Sequence, residues 1–148
     1  MRLDELLTAP LRSEFTVSNQ PFTFAGKATM ELDGGEARHW LFDNNGRMLS
    51  VSPSEEEVLS FRLLDEAMEP ENETVVYQGK DYEYSYEDIG SVSDAEGDTQ
   101  VEPEERYAFS DYEADDGELI RLVRNENTGD TMAFIGSMVG EDDVIAVE

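Results

Sequence analysis

The chain reads as an all-β protein: an antiparallel meander forming a sandwich or a partly open barrel, with one short helix at its start. Three observations predict this. Apolar and polar residues alternate with a period of two over most of the length, as strands with one buried face require. Asp-Gly, Asn-Gly and Thr-Gly pairs fall between the alternating runs at hairpin spacing, where glycine supplies the positive φ of a tight reversal. Helical periodicity is confined to residues 1–12.

In that first segment Leu3, Leu6, Leu7 and Leu11 fall at helical spacing, and Pro10 ends the helix near Thr8 or Ala9, because the residue before proline is pushed out of the α region. A cap over one end of the sheet or barrel is the expected role. Phe15 and Val17, Phe22 and Phe24, then Ala28, Met30 and Leu32 mark two or three strands. Asp33-Gly34-Gly35 turns the chain into a strand over 38–42, and Asp43-Asn44-Asn45-Gly46 turns it into another over 48–51. Ser54 to Glu57 carries a capping-box pattern, yet Leu59, Phe61 and Leu63 alternate, so a turn followed by a strand is predicted.

Residues 65–74 are acidic, contain Pro70 and lack periodicity, which predicts a loop. The runs 75–77 and 82–87 form a hairpin with Tyr82, Tyr84 and Tyr86 on one face. Residues 93–105 hold only Ala95 and Val101 as apolar side chains among many acids, too few to order the segment, so an acidic mobile loop is expected. The three-stranded meander over 107–112, 119–124 and 132–138 has the clearest pattern in the chain. A turn at 140–143 and a strand at 144–147 complete a single domain spanning 1–148, a length that buries a real core.

Lys and Arg number 10 against 36 Asp and Glu, a net charge of -26. Duplex nucleic acid and anionic membrane surfaces should repel such a chain, so no direct nucleic-acid binding is expected. The charge is either an adaptation to a saline host or a binding device. The absence of cysteine removes disulfides and thiolate chemistry. The acidic start, Met1 to Leu7, lacks the basic flank and apolar run of an export signal, and no apolar stretch reaches spanning length. A cytoplasmic location without a transmembrane segment is the expectation.

Nucleophilic catalysis needs a base beside the nucleophile, and the one histidine, His39, stands next to Trp40 on a predicted strand, facing out if the indole faces in. Paired carboxylates are too abundant to be diagnostic. The oxygen-rich turns Asp43 to Gly46, Asp111 to Asp116 and Glu141 to Asp143 suit a hard cation in type, but none has EF-hand spacing. No glycine-rich phosphate loop joins a strand to a helix. No catalytic, cofactor-binding or metal residue and no cofactor is assigned. The tyrosines fit core packing better than a contact face, and the candidate interaction surface is acidic: Asp111, Glu113, Asp115, Asp116, Glu141, Asp142 and Asp143.

Trp40-Leu41-Phe42 through the Asn-Gly turn to Leu49, then Val76-Tyr77-Gln78-Gly79-Lys80-Asp81-Tyr82, then Tyr107 with Asp111-Tyr112-Glu113, Phe134-Ile135-Gly136 and Val144-Ile145 occur in an order that resembles the bacterial domain-of-unknown-function family 4178 over about residues 20–147. The resemblance implies no catalytic residue. Members of that family tend to be encoded beside PspA-like and spermidine-synthase-like proteins, which implies an accessory role in envelope or stress physiology.

The expected function is therefore a non-enzymatic interaction module whose anionic surface engages a basic protein surface or polycation. A DNA-mimic inhibitor and a carboxylate- and metal-dependent enzyme are the alternatives, and oligomeric state is left open.

Overall fold

The period-two rows fold as strands almost wherever they occur. A computed structural model describes residues 1–147 of the 148. Helix α1 (Leu3–Thr8) is followed by β1 (Glu14–Val17), β2 (Gln20–Thr23), β3 (Gly26–Leu32), β4 (Ala37–Phe42), β5 (Arg47–Ser52), β6 (Glu57–Leu63), β7 (Thr74–Tyr77), β8 (Lys80–Gly97), β9 (Arg106–Glu113), β10 (Leu119–Asn125), β11 (Thr131–Val139) and β12 (Val144–Ala146). Around Ser54 the chain makes a single 3-10 turn, Pro53–Glu55, and passes through a left-handed Glu56 into β6, so no α-helix starts there.

Strands β3, β4, β5, β6, β11, β10, β9 and β8 are neighbours in that order, and β8 pairs back onto β3. The sheet is therefore a closed eight-stranded antiparallel barrel, not a sandwich or a partly open barrel. Closure depends on the 18-residue length of β8. Its residues 83–91 pair with β9 and its residues 90–97 with β3. Gly90 and Gly97 let this seam form, since a Cβ on either would lie 2.5 Å from the Glu31 carbonyl oxygen or 2.2 Å from that of Ala25.

The acidic segment 93–105 thus departs from the expected loop. Residues 93–97 are strand, ordered by backbone pairing with β3 rather than by apolar burial. Val101 is fully buried in the barrel core, and the Glu102 backbone N–H donates to the Tyr107 hydroxyl at 2.8 Å. One buried methyl-bearing side chain and one ring hydroxyl fix a stretch whose composition suggested none.

A bulge corrects a second expectation. Tyr84 stands opposite Tyr112 and Tyr86 opposite Asp111, so Ser85 is an extra residue in the ladder. The reversal of facing that a bulge produces leaves Tyr84 on the outside against Tyr112, and Tyr86 packed on the barrel core. The three tyrosines do not share one face.

Three apolar clusters hold the fold. Inside the barrel Trp40, Phe42, Met48, Phe61, Phe109 and Phe134 pack with Met30, Val92 and Val123. On the outer face of β4 to β6, Leu41, Leu49, Val51 and Val58 are covered by Leu6 of α1 and by Phe15, Val17, Phe22 and Val144 of a three-stranded sheet ordered β12, β1, β2. On the outer face of β9 to β11, Tyr112, Ile120 and Ile135 are covered by Leu64 and by the β7–β8 hairpin through Val75 and Tyr82. Lys80 bonds Asp116 and Glu118, and the Tyr82 hydroxyl donates to Glu118 at 2.5 Å, which ties that hairpin to the β9–β10 turn. Burial and then the Glu118 bond push the Tyr82 hydroxyl up to about 12.

Candidate functional site

The inward-facing residues change character along several barrel strands. On β4 they run Phe42, Trp40, Arg38; on β5, Met48, Ser50, Ser52; on β9, Phe109, Asp111, Glu113; on β10, Val123, Arg121, Leu119. Apolar side chains fill the end reached by Val101, and polar ones line the other. That polar mouth holds a cavity of about 270 Å³, to which β6 adds Glu57 and Leu59, β8 adds Ser85 and Tyr86, β11 adds Met138 and the β5–β6 turn adds Glu55. An eight-stranded barrel has room for its own side chains or for one small ligand. This one divides its interior between the two.

Arg121 forms the floor. Its Nε and Nη2 donate to the two Asp111 carboxylate oxygens at 2.7 and 2.8 Å, and its Nη1 donates to Ser50 Oγ at 2.8 Å. The guanidinium carbon lies 4.7 Å from the Phe109 ring centre, 4.9 Å from Phe61 and 5.6 Å from Trp40. A planar fork of five donors can satisfy a carboxylate bidentately while stacking on aromatic faces, which a lysine cannot do. At the wall, Arg38 donates to Glu36 at 3.2 Å and to the Tyr86 hydroxyl at 3.0 Å, and that hydroxyl donates to Asp88 at 2.5 Å. Burial and the Asp88 bond push Tyr86 up to about 12.

The cationic donors of the mouth are thus directed at the protein's own oxygens, whereas several acceptors are not matched. The Glu57 and Glu113 carboxylates have no hydrogen bond or ion pair among the described residues, and the one cation near Glu55 is Arg38 at 3.9 Å. Ser52 Oγ is buried without a partner, as is Trp40 Nε1 inside the barrel. Burial, and next the neighbouring Glu55 charge, raise the Glu57 carboxyl above its ordinary value.

Asp111 is 6 % exposed and paired to Arg121, so it is not part of an outer surface. Its position continues the inward row Tyr107, Phe109, and the barrel interior claims it. Glu113 lines the mouth, Asp115 and Asp116 lie exposed on the β9–β10 turn, and Glu141, Asp142 and Asp143 line a separate shallow depression with Glu56. The two acidic groups that sequence reading joined lie by different depressions at neighbouring positions of the barrel. Arg38, Ser50, Ser52, Glu57, Tyr86 and Arg121 were not anticipated, although charged or hydroxyl residues continuing an inward apolar row were the available signal. His39 sits on the outer face of β4 with Nδ1 3.2 Å from Thr29 Oγ1, and burial and then Lys27 lower its pKa.

A larger groove of about 710 Å³ lies outside the barrel against β9 to β11, but its charged lining residues Asp65, Glu66, Glu69, Arg124 and Glu126 are all exposed. Among the described residues no group of three His, Asp or Glu side chains is arranged to hold a metal ion, and no helix is long and apolar enough to cross a membrane.

Fold and mouth together define a closed antiparallel β-barrel with a charged pocket at one end. The chain belongs to the family described as Domain of unknown function (DUF4178), whose model matches residues 12–141. No curated protein and no solved structure matches it.

Proposed function

We propose that the protein is a non-enzymatic binding module in which a rigid barrel presents uncompensated carboxylates to a basic protein surface or polycation. The carrying observation is the imbalance left after internal pairing. Among the described residues eight acids, Asp4, Glu5, Asp33, Glu36, Glu55, Asp111, Asp116 and Glu118, have a cation at ion-pair distance. Arg2, Arg38, Lys80, Arg106 and Arg121 serve them, while Lys27 and Arg47 bond backbone carbonyls. Most of the 36 acids therefore face water without a cation, and such a field accelerates encounter with a positive partner and repels negative ones.

Exposed acids lie at both ends of the barrel, with Glu55, Glu56, Asp115 and Asp116 beside the mouth and Glu102, Glu104, Glu126 and Asp130 at the opposite end, and also along β8 at Asp81, Glu83, Glu87, Asp94 and Glu96. That distribution favours contact with a basic surface over imitation of one DNA groove, which requires a single continuous stripe. The test is affinity capture from host lysate at low salt and at about 0.5 M salt, where exposed charges are screened within a few ångströms. Recovery of the partners should fall several-fold at the higher salt, and equal recovery under both conditions would contradict electrostatic recruitment.

A further inference from the structure

We propose that the barrel mouth is a binding site for a small organic cation, a primary ammonium on a short aliphatic stem, seated between Glu57, Glu113 and Ser52. The assignment comes from the donor and acceptor inventory. Arg121 is committed to Asp111 and Ser50, and Arg38 to Glu36 and Tyr86. The groups left over in the cavity lining are oxygens: the Glu57 and Glu113 carboxylates, and Ser52 Oγ, which is 3 % exposed and has no partner; the partnerless Trp40 Nε1 is not among the lining groups. An ammonium group carries three donors and no acceptor, so it complements what remains.

Charge points the same way. Arg38 and Arg121 bring two positive charges to the cavity wall, against four from Glu55, Glu57, Asp111 and Glu113. An anion would add to that excess, whereas a cation relieves it. The raised Glu57 carboxyl fits a group held among like charges and partly away from water. Leu59, Leu119 and Met138 supply an apolar side for a stem, and Met138 is 63 % exposed, a large apolar surface left at the rim. At about 270 Å³ the cavity falls below the roughly 300–1,000 Å³ of drug-sized ligand pockets, which sets the ligand as a small one. The described residues place no metal-binding cluster there, so an organic cation suits the site better than a bare ion.

Trp40, the one tryptophan, lies on the guanidinium floor of the site and reports on it. Full-length protein is titrated with n-butylammonium, butyrate and n-butanol at about 0.15 M salt, which suppresses loose association with distant surface acids, and Trp40 fluorescence is followed. Butylammonium should give a saturable change, and the acid and the alcohol should not. Glu57→Gln should weaken butylammonium at least about ten-fold, as expected for losing a charged hydrogen-bond acceptor, and Ser52→Ala should weaken it by less. Glu104→Gln, one charge removed at the opposite end, should leave it unchanged and so separates this site from the general surface field. Butyrate binding as tightly as butylammonium, no saturable response to butylammonium, or wild-type affinity in Glu57→Gln would each overturn the proposal. These outcomes are read at fixed salt on a small molecule, so they are independent of the partner-capture test.

Discussion

The two ends of the barrel interior are built by the same strands and solve different problems. At one end Phe42, Met48, Phe109 and Val123 interlock with Val101 and Phe134, and the buried polar groups are few: the Tyr107 hydroxyl, which accepts from Asn125 and from the Glu102 backbone, and the Asp43 carboxylate, which caps the β4–β5 turn and keeps one oxygen without a partner. Two residues along the same strands, the inward positions are Trp40, Ser50, Asp111 and Arg121, and a further step brings Arg38, Ser52 and Glu113. A barrel designed only for stability would continue the apolar filling to the rim, since replacing a buried ion pair by well-packed apolar residues is often neutral or stabilising. The mouth instead keeps a buried arginine, a buried aspartate and partnerless oxygens. The packed end is thus built as stability alone would build it, and the mouth carries polar groups that stability does not require.

Three substitutions sharpen this contrast. The largest effect is expected from Arg121→Met, which leaves Asp111 buried and unpaired and should cost about 3–5 kcal/mol of unfolding free energy in denaturant titration. Adding Asp111→Leu should recover much of that loss. A double variant no more stable than the single would show that the pair itself, not the stranded charge, holds this end together. At the packed end Met48→Ala should cost about 2–5 kcal/mol through lost burial and the cavity it leaves, and no second change at the mouth should rescue it, because the two ends are joined by strands rather than by one polar network.

Much of the framework was legible in the sequence. Alternation and Asn-Gly or Asp-Gly turns located β4, β5 and the β9 to β11 meander, and α1 ends at Thr8 as Pro10 implied. What escaped was non-local. The seam between β3 and β8 joins segments with no shared pattern, and it depends on backbone approach at Gly90 and Gly97 rather than on hydrophobic rows. One extra residue at Ser85 reversed the facing of Tyr86, and period-two reading has no signal for a bulge. The candidate acids were chosen by density along the chain, which separates turns from strands poorly. Asp111 sits two residues beyond Phe109 on an inward row, and following that row would have placed it beside Arg121.

The smallest expected effect is the most direct test of the claim that the mouth is kept polar against the interest of stability. Glu57 is surrounded by Glu55, Asp111, Arg38 and Arg121, and its carboxyl is raised above the ordinary 4.5 by burial and then by Glu55. A carboxyl raised in the folded state contributes stability while protonated, and that contribution is lost as pH rises through the folded-state value. Melting temperatures of the wild type and of Glu57→Gln should therefore be compared from about pH 4 to neutral, bracketing the reference glutamate range. The account predicts that Glu57→Gln melts higher than wild type at neutral pH and that the two curves converge in acid. A variant that melts lower than wild type at neutral pH would mean that Glu57 stabilises the barrel, and would contradict the account.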